Sequence, residues 1–148
     1  TIAALDDNGR PVRGSEQTFA VDLICLAVGL TPLTELAWQA GCRFAYSGPL
    51  GGHVPLHNAD METTVPGLFV AGDAAGVEEA STALEEGCLA GLAAAAFAGR
   101  GGPELEAEKE AARRRLEALR SGPFGGGRRR AQEEIVKGWL KCSGGRWQ

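Results

Sequence analysis

Residues 63–91 read TTVPGLFVAGDAAGVEEASTALEEGCLAG, and the rest of the chain is organised around them. Pro66-Gly67 is a turn signal. Leu68-Phe69-Val70-Ala71 is a short apolar run that stops at Gly72-Asp73. A loop of small and acidic residues follows, then a stretch rich in Ala, Leu and Gly. A brief apolar run bounded by Pro and Gly predicts a buried central strand, and the sequel predicts a glycine corner, a loop and a helix. Gly72 lets the backbone turn sharply and come close to a ligand, because it has no Cβ. Asp73 then falls at the carboxyl end of a strand, where open α/β sheets place their ligands. A carboxylate there can accept hydrogen bonds from sugar-like hydroxyls.

The pattern T-x-x-P-G-L-F-V-A-G-D with a Gly-rich helix after it resembles the carboxyl-terminal flavin motif of the two-dinucleotide-binding-domain flavoproteins. That family includes thioredoxin reductase-like enzymes and the flavoprotein subunits of sarcosine, opine and proline dehydrogenases. The resemblance implies an α/β fold, namely part of a Rossmann-like FAD/NAD(P)-binding domain with a helical tail. It also implies that Gly72 and Asp73 hold the ribityl chain of FAD. The start of the following helix, Ala80, Ser81 and Thr82, then offers backbone N–H groups to the flavin ring. Family members commonly carry a basic residue and Gln just before this helix. Ala80 and Ser81 stand there instead, so only backbone contacts carry over.

The bulk numbers describe one globular domain: 148 residues, 44% hydrophobic and 23% charged. The net charge of -4 argues against a general nucleic-acid binder, which needs a basic surface for phosphates. The four cysteines, Cys25, Cys42, Cys88 and Cys142, form no C-x-x-C pair. A redox dithiol, a zinc ribbon and an iron–sulfur spacing are therefore not indicated. Cys25 and Cys88 lie in apolar runs, where buried free thiols are common. There is no signal-peptide pattern and no run long enough to cross a membrane, so the default location is the cytoplasm.

Upstream of the motif, residues 1–20 read as a β-hairpin turning at Asp6-Asp7-Asn8-Gly9. Residues 21–28, VDLICLAV, predict a strand buried on both faces and ended by Gly29. The pattern D-x-I-x-x-A-x-G-x-x-P over Asp22 to Pro32 resembles the last strand of the family's nicotinamide domain and its crossing to the flavin domain. Residues 33–40 have helical spacing, with Leu33, Leu36, Ala37 and Ala40 on one face and Gly41 as a stop. Phe44-Ala45-Tyr46 and His53-Val54-Pro55 predict short strands, the second at an edge because of its proline. His53 and His57 have a helical metal spacing, but Pro55 forbids the helix. Both read as ordinary loop histidines, and no metal site is expected.

Downstream, Ser81 or Thr82 is the expected helix cap, with Thr82 and Glu85 at capping-box spacing. Ala83, Leu84, Gly87, Cys88, Gly91 and Leu92 make the face expected to pack. Glu78 and Glu79 suit capping, a solvated loop or a substrate-facing rim, and the sequence leaves these open. Residues 104–120 predict a charged helix with a narrow stripe of Leu105, Ala112, Leu116 and Leu119. Residues 121–127, SGPFGGG, form a break without the phosphate-loop pattern. Arg128-Arg129-Arg130 open a last helix running to about Leu140, the arginines reading as a solvated face.

The expected organisation is 1–29 as the end of a nicotinamide-binding domain, 30–99 as the closing part of an FAD-binding domain, and 100–148 as a charged helical tail. No G-x-G-x-x-G occurs, although this architecture uses one to hold the FAD pyrophosphate. By resemblance, the chain is read as a partial chain or split subunit of an FAD-dependent oxidoreductase. Its hydride donor is an amine, an amino acid or NAD(P)H. Its partners are a small-molecule substrate and either a missing amino-terminal half or a partner subunit. No catalytic acid, base or nucleophile is assigned. The alternatives are a non-catalytic assembly module of a flavoprotein complex and a fragment of a thioredoxin reductase-like disulfide reductase.

Overall fold

The computed structural model describes residues 1–123 and 125–143. Helix α1 spans Glu35–Gln39, strand β1 Phe44–Ser47 and strand β2 Gly52–Pro55. The long helices are α2, Ala80–Phe97, α3, Pro103–Arg120, and α4, Gly126–Ser143. Short 3-10 turns cover Gly48–Leu50 and Gly72–Ala75. Strands β1 and β2 pair antiparallel, with Phe44 opposite Pro55 and Ser47 opposite Gly52. Both fall where short strands were predicted, around Phe44-Ala45-Tyr46 and His53-Val54-Pro55.

Two apolar clusters hold these elements together. Met61, Val70, Ala75, Leu89, Ala90, Ala112 and Leu116 join the motif to α2 and α3. Leu50, Val54, Leu56 and Ile135 join the small sheet to α4, with Trp139 packed against them. The Trp139 indole N–H also donates to the Thr63 carbonyl at 2.9 Å, fixing α4 to the motif's approach. The charged helices thus do not stand apart. Their apolar stripes fill the same cores as the motif. On α3 the stripe is Ala112 and Leu116, while Leu119 is partly exposed. Glu110 and Arg114 form an i,i+4 ion pair, at 3.7 Å.

The amino-terminal hairpin exists as two isolated bridges, Ile2 with Gln17 and Leu5 with Pro11. The Asp6 carboxylate orders its turn by accepting from the Asn8 and Arg10 amides. Residues 21–28 depart from expectation. They form no strand, and Leu26 and Val28 are 79% and 87% exposed. A strand buried on both faces needs neighbours on both edges and a layer above and below. The described residues supply neither. The same holds at 68–71. Among the described residues Phe69 bridges only Glu62, with Thr63 N–H donating to the Leu68 carbonyl and Val70 N–H to the Met61 carbonyl. The expected central strand is therefore paired along one edge only. The regular sheet among the described residues is the antiparallel β1–β2 pair, not a parallel one.

Helix α1 is shorter than expected, and Leu33 and Leu36 on its predicted packing face are exposed. Helix α2 begins after Glu79, not at a Ser81 or Thr82 cap, and no side chain caps it. Its buried face is Thr82, Glu86, Leu89, Ala90 and Ala93. Leu84, Gly87, Cys88 and Gly91 of the predicted face are exposed. Glu85, the expected capping-box partner, pairs with Arg115 at 2.8 Å. Cys25 and Cys88 are likewise exposed thiols. Helix α4 starts at Gly126, ahead of the arginines, and is held by packing of Ala131 and Ile135 against the small sheet rather than by helix propensity. None of the helices is long and apolar enough to cross a membrane, among the described residues.

Candidate functional site

Gly72 lies at φ +64, in the left-handed region where glycine is at ease. The corner predicted there is present. A Cβ on Gly72 would stand 3.5 Å from the Ala83 Cβ, so the corner stacks on the first turn of α2. Asp73 opens the 3-10 turn, which closes when Gly76 N–H donates to the Asp73 carbonyl at 3.2 Å. The Asp73 side chain is exposed, and its carboxylate has no partner among the described residues. Gly76 sits at φ +127, and a Cβ there would press on Leu50 at 3.0 Å. Leu50 is fully buried. Gly76→Ala is therefore expected to cost about 2 kcal/mol through backbone strain and crowding, read as a lowered urea midpoint.

The start of α2 is open. The first intrahelical bond runs from Ala83 N–H to the Glu79 carbonyl, at 3.0 Å. The amides of Ala80, Ser81 and Thr82 therefore have no intrahelical acceptor. Ala80 and Ser81 are exposed, whereas the Thr82 side chain is buried. The three amides and the positive dipole end favour an anionic or carbonyl-bearing group.

Behind this open rim lies a buried polar cluster that the sequence did not reveal. Glu86, on α2, accepts the Gly72 N–H at 2.8 Å on one carboxylate oxygen. Its other oxygen accepts from Arg120, the last residue of α3. Arg120 also donates to Glu78, through Nη2 at 2.7 Å and through Nε to both carboxylate oxygens at 3.2 Å. Gln132, on α4, donates to Glu78 at 2.9 Å and to the Ala75 carbonyl at 3.3 Å. Glu78 is thus neither a helix cap nor part of a solvated loop. Burial pushes the Glu86 carboxyl up to about 7, Arg120 opposes the shift, and nearby Glu78 adds to it. Burial alone would lower the Arg120 guanidinium, but Glu78 and Glu86 outweigh it and hold it above its ordinary value.

The two histidines separate. His53 is in β2, its ring edge-on to Tyr46. His57 is buried, and its Nδ1–H donates to the Asn58 carbonyl at 2.9 Å. Burial keeps the His57 ring below its usual pKa, hence neutral. His57 and Gln132 are among the residues lining a cavity of about 200 Å³, and His57 Nε2 and the Gln132 side-chain oxygen are buried with no hydrogen-bond partner among the described residues. Beside them, Asp60 is held below the usual carboxylate range: burial would raise it, but Lys109 and Arg113 of α3 outweigh that. No cluster of His, Cys, Asp and Glu is arranged to hold a metal among the described residues. Arg128 pairs with Glu79 at 2.9 Å, so the arginine run is partly tied down.

Known proteins share parts of this sequence. The chain is 34% identical over 94 residues to the A subunit of opine oxidase from Rhizobium meliloti (strain 1021), covering 64% of this chain and 20% of that protein. It is 36% identical over 81 residues to the corresponding opine oxidase subunit from Agrobacterium tumefaciens (strain Ach5), covering 55% of this chain and 16% of that protein. The chain thus spans about a fifth or less of the length of these relatives. No solved structure matches it. Residues 1–87 match the pyridine nucleotide-disulphide oxidoreductase family. That span is more than half of the chain and includes the Gly72-Asp73 corner and Glu86, so the chain belongs to this family of Rossmann-like FAD- and NAD(P)-dependent oxidoreductases.

Proposed function

We propose that this chain is the closing part of the flavin-binding unit of an FAD-dependent oxidoreductase. Its hydride donor is an amine or amino acid, of which opines are one kind, or NAD(P)H. Gly72 and Asp73 bind the ribityl chain, and the amides of Ala80, Ser81 and Thr82 face the flavin ring. The observation that carries this reading is the pairing of an exposed, unpartnered Asp73 carboxylate with an open helix start, stacked together through Gly72 and Ala83. Polyol hydroxyls donate to the carboxylate. The helix start stabilises negative charge on the reduced ring. FAD, when bound, supplies the hydride-accepting chemistry, and the protein's share is orientation and electrostatics. The organisation into 1–29, 30–99 and 100–148, and a cytoplasmic location, belong to the same proposal.

The remaining part of the FAD site, with its pyrophosphate loop, is assigned to an amino-terminal stretch or to a partner chain. The exposed apolar side chains of Leu23, Ile24, Leu26, Val28 and Leu30 support this, because such a run gains stability only when other strands cover it. The relatives point the same way, since their name describes one subunit of an oxidase.

The test is a flavin titration of the chain, alone and with the amino-terminal unit supplied, followed by absorbance after removal of free FAD. Asp73→Ala is expected to weaken retention about tenfold, the equivalent of one charge-assisted hydrogen bond. Its thermal melt should not move, since the carboxylate has no partner to lose. Unchanged retention would remove Asp73 from the site and favour a non-catalytic assembly role.

A further inference from the structure

We propose that the helical tail is a clamp on the flavin corner, with Glu86 and Arg120 as its positioning residues and Gln132 as a second tie. The proposal rests on the flavin reading for its purpose, but the clamp itself is seen in the hydrogen bonds. The corner and loop, residues 72–79, contain no regular sheet and rely on few internal bonds. Two polar lines reach them from the tail. One runs from Arg120 of α3 through Glu86 to the Gly72 amide. The other runs from Gln132 of α4 to the Ala75 carbonyl and to Glu78. Arg120 also grips Glu78 directly, at the far end of the loop. The middle and far end of the loop are therefore held directly by α3 and α4, which lie beyond the residues matched to the family, while its near end is held by Glu86 of α2, itself backed by Arg120.

The physical case is that these bonds are sheltered. The Glu86 side chain is 1% exposed and that of Glu78 5%. Sheltered charge-assisted bonds are geometrically exacting and stronger than neutral ones. Gly72 needs such a hold, because a glycine at positive φ is otherwise free to leave it. Without the Glu86 acceptor, the Gly72 N–H is a half-buried donor with no partner. The groups facing Glu86 are Arg120 from α3, Glu78 from the loop and the Gly72 amide. Gln132 on α4 and neutral His57 stand behind them, against Arg120 and Glu78. Since burial places the Glu86 titration near neutrality, the hold on Gly72 is strongest above that range. It weakens as Glu86 takes up a proton.

Amide NMR of the isotope-labelled chain, with hydrogen exchange and FAD titration on the same samples, tests the clamp. The Gly72 amide is expected to shift with a midpoint near neutral pH, and Glu86→Gln should abolish the shift. Exchange across residues 72–79 should quicken about tenfold or more in Glu86→Gln and Arg120→Ala, with Arg120→Lys restoring part of the protection. FAD affinity of the wild-type chain, joined to the amino-terminal unit, should fall as Glu86 protonates, and Glu86→Gln should lose that dependence. If Arg120→Ala does not fold, Glu86→Gln decides. An unchanged Gly72 amide and unchanged exchange in folded Glu86→Gln overturn the clamp. A Gly72 amide that titrates in a protein without FAD affinity upholds the clamp and refutes only the cofactor reading.

Discussion

Arg120→Met is expected to lower stability by about 3 kcal/mol near pH 8 and by much less near pH 5, a difference that denaturant melts at the two pH values will resolve. Methionine keeps most of the arginine's length and apolar stem but removes the cation. Glu78 and Glu86 are then left together in a sheltered cluster with no counterion. Breaking a buried pair from one side is costly, because the surviving charge stays desolvated. The pH dependence follows from Glu86. Burial raises its folded pKa to about 7, above the unfolded value. Its contribution to stability is therefore complete below the ordinary carboxylate range and is lost as pH rises through about 7. Arg120 restrains that shift. Without it the folded pKa climbs further, and the loss at alkaline pH deepens. At acid pH Glu86 is neutral in both proteins, and the difference shrinks. A destabilisation equal at both pH values would mean that Arg120 acts through packing alone.

Leu89→Ala is expected to cost about 3 kcal/mol, and Leu84→Ala no more than about 0.5 kcal/mol, read from thermal or urea melts of the pair. Both leucines lie on α2, five residues apart in the sequence and nearly opposite around the helix. Leu89 is 1% exposed and packs with Met61, Val70, Ala112 and Leu116. Truncating it leaves a cavity where α2 meets α3, and the rigid neighbours collapse only partly. Leu84 is 67% exposed and has little burial to lose. The small-residue spacing pointed to the opposite face, so the reverse order of effects would mean that α2 is turned about its axis.

That face illustrates how the sequence informs and misleads. Ala, Gly and Cys recur on α2 at three and four residue steps, but so do Thr82, Glu86, Leu89, Ala90 and Ala93. In a helix this rich in apolar and small residues the periodicity is nearly symmetric. An ionised carboxylate such as Glu86 ordinarily faces solvent, which would expose the second set. It is buried because Arg120 and the Gly72 amide compensate its charge, and Arg120 lies 34 positions away in the sequence. Glu78, Gln132 and His57 were missed for the same reason. A local pattern cannot show a polar partner brought by another helix. The Glu85-Glu86 doublet inside an Ala/Leu/Gly-rich helix was the one signal available. The strands at 21–28 and 68–71 failed differently. Their composition states a need for neighbours, and the described residues pair the second on one edge and leave the first bare.

By itself the sequence determined what is local: the left-handed corner at Gly72, the turn at Asp6 to Gly9, the short strands around Tyr46 and Val54, the long helices, and the family through the Gly-Asp motif. Steric limits on φ and ψ and short-range hydrogen bonds act within a few residues, so they are written in the residues themselves. Only the tertiary structure decided which face of α2 is buried and that the tail helices share the motif's core. It also decided that the Gly72 corner is held by Glu86, Arg120 and Gln132. Burial and charge compensation depend on which distant side chains meet, and that is settled by packing.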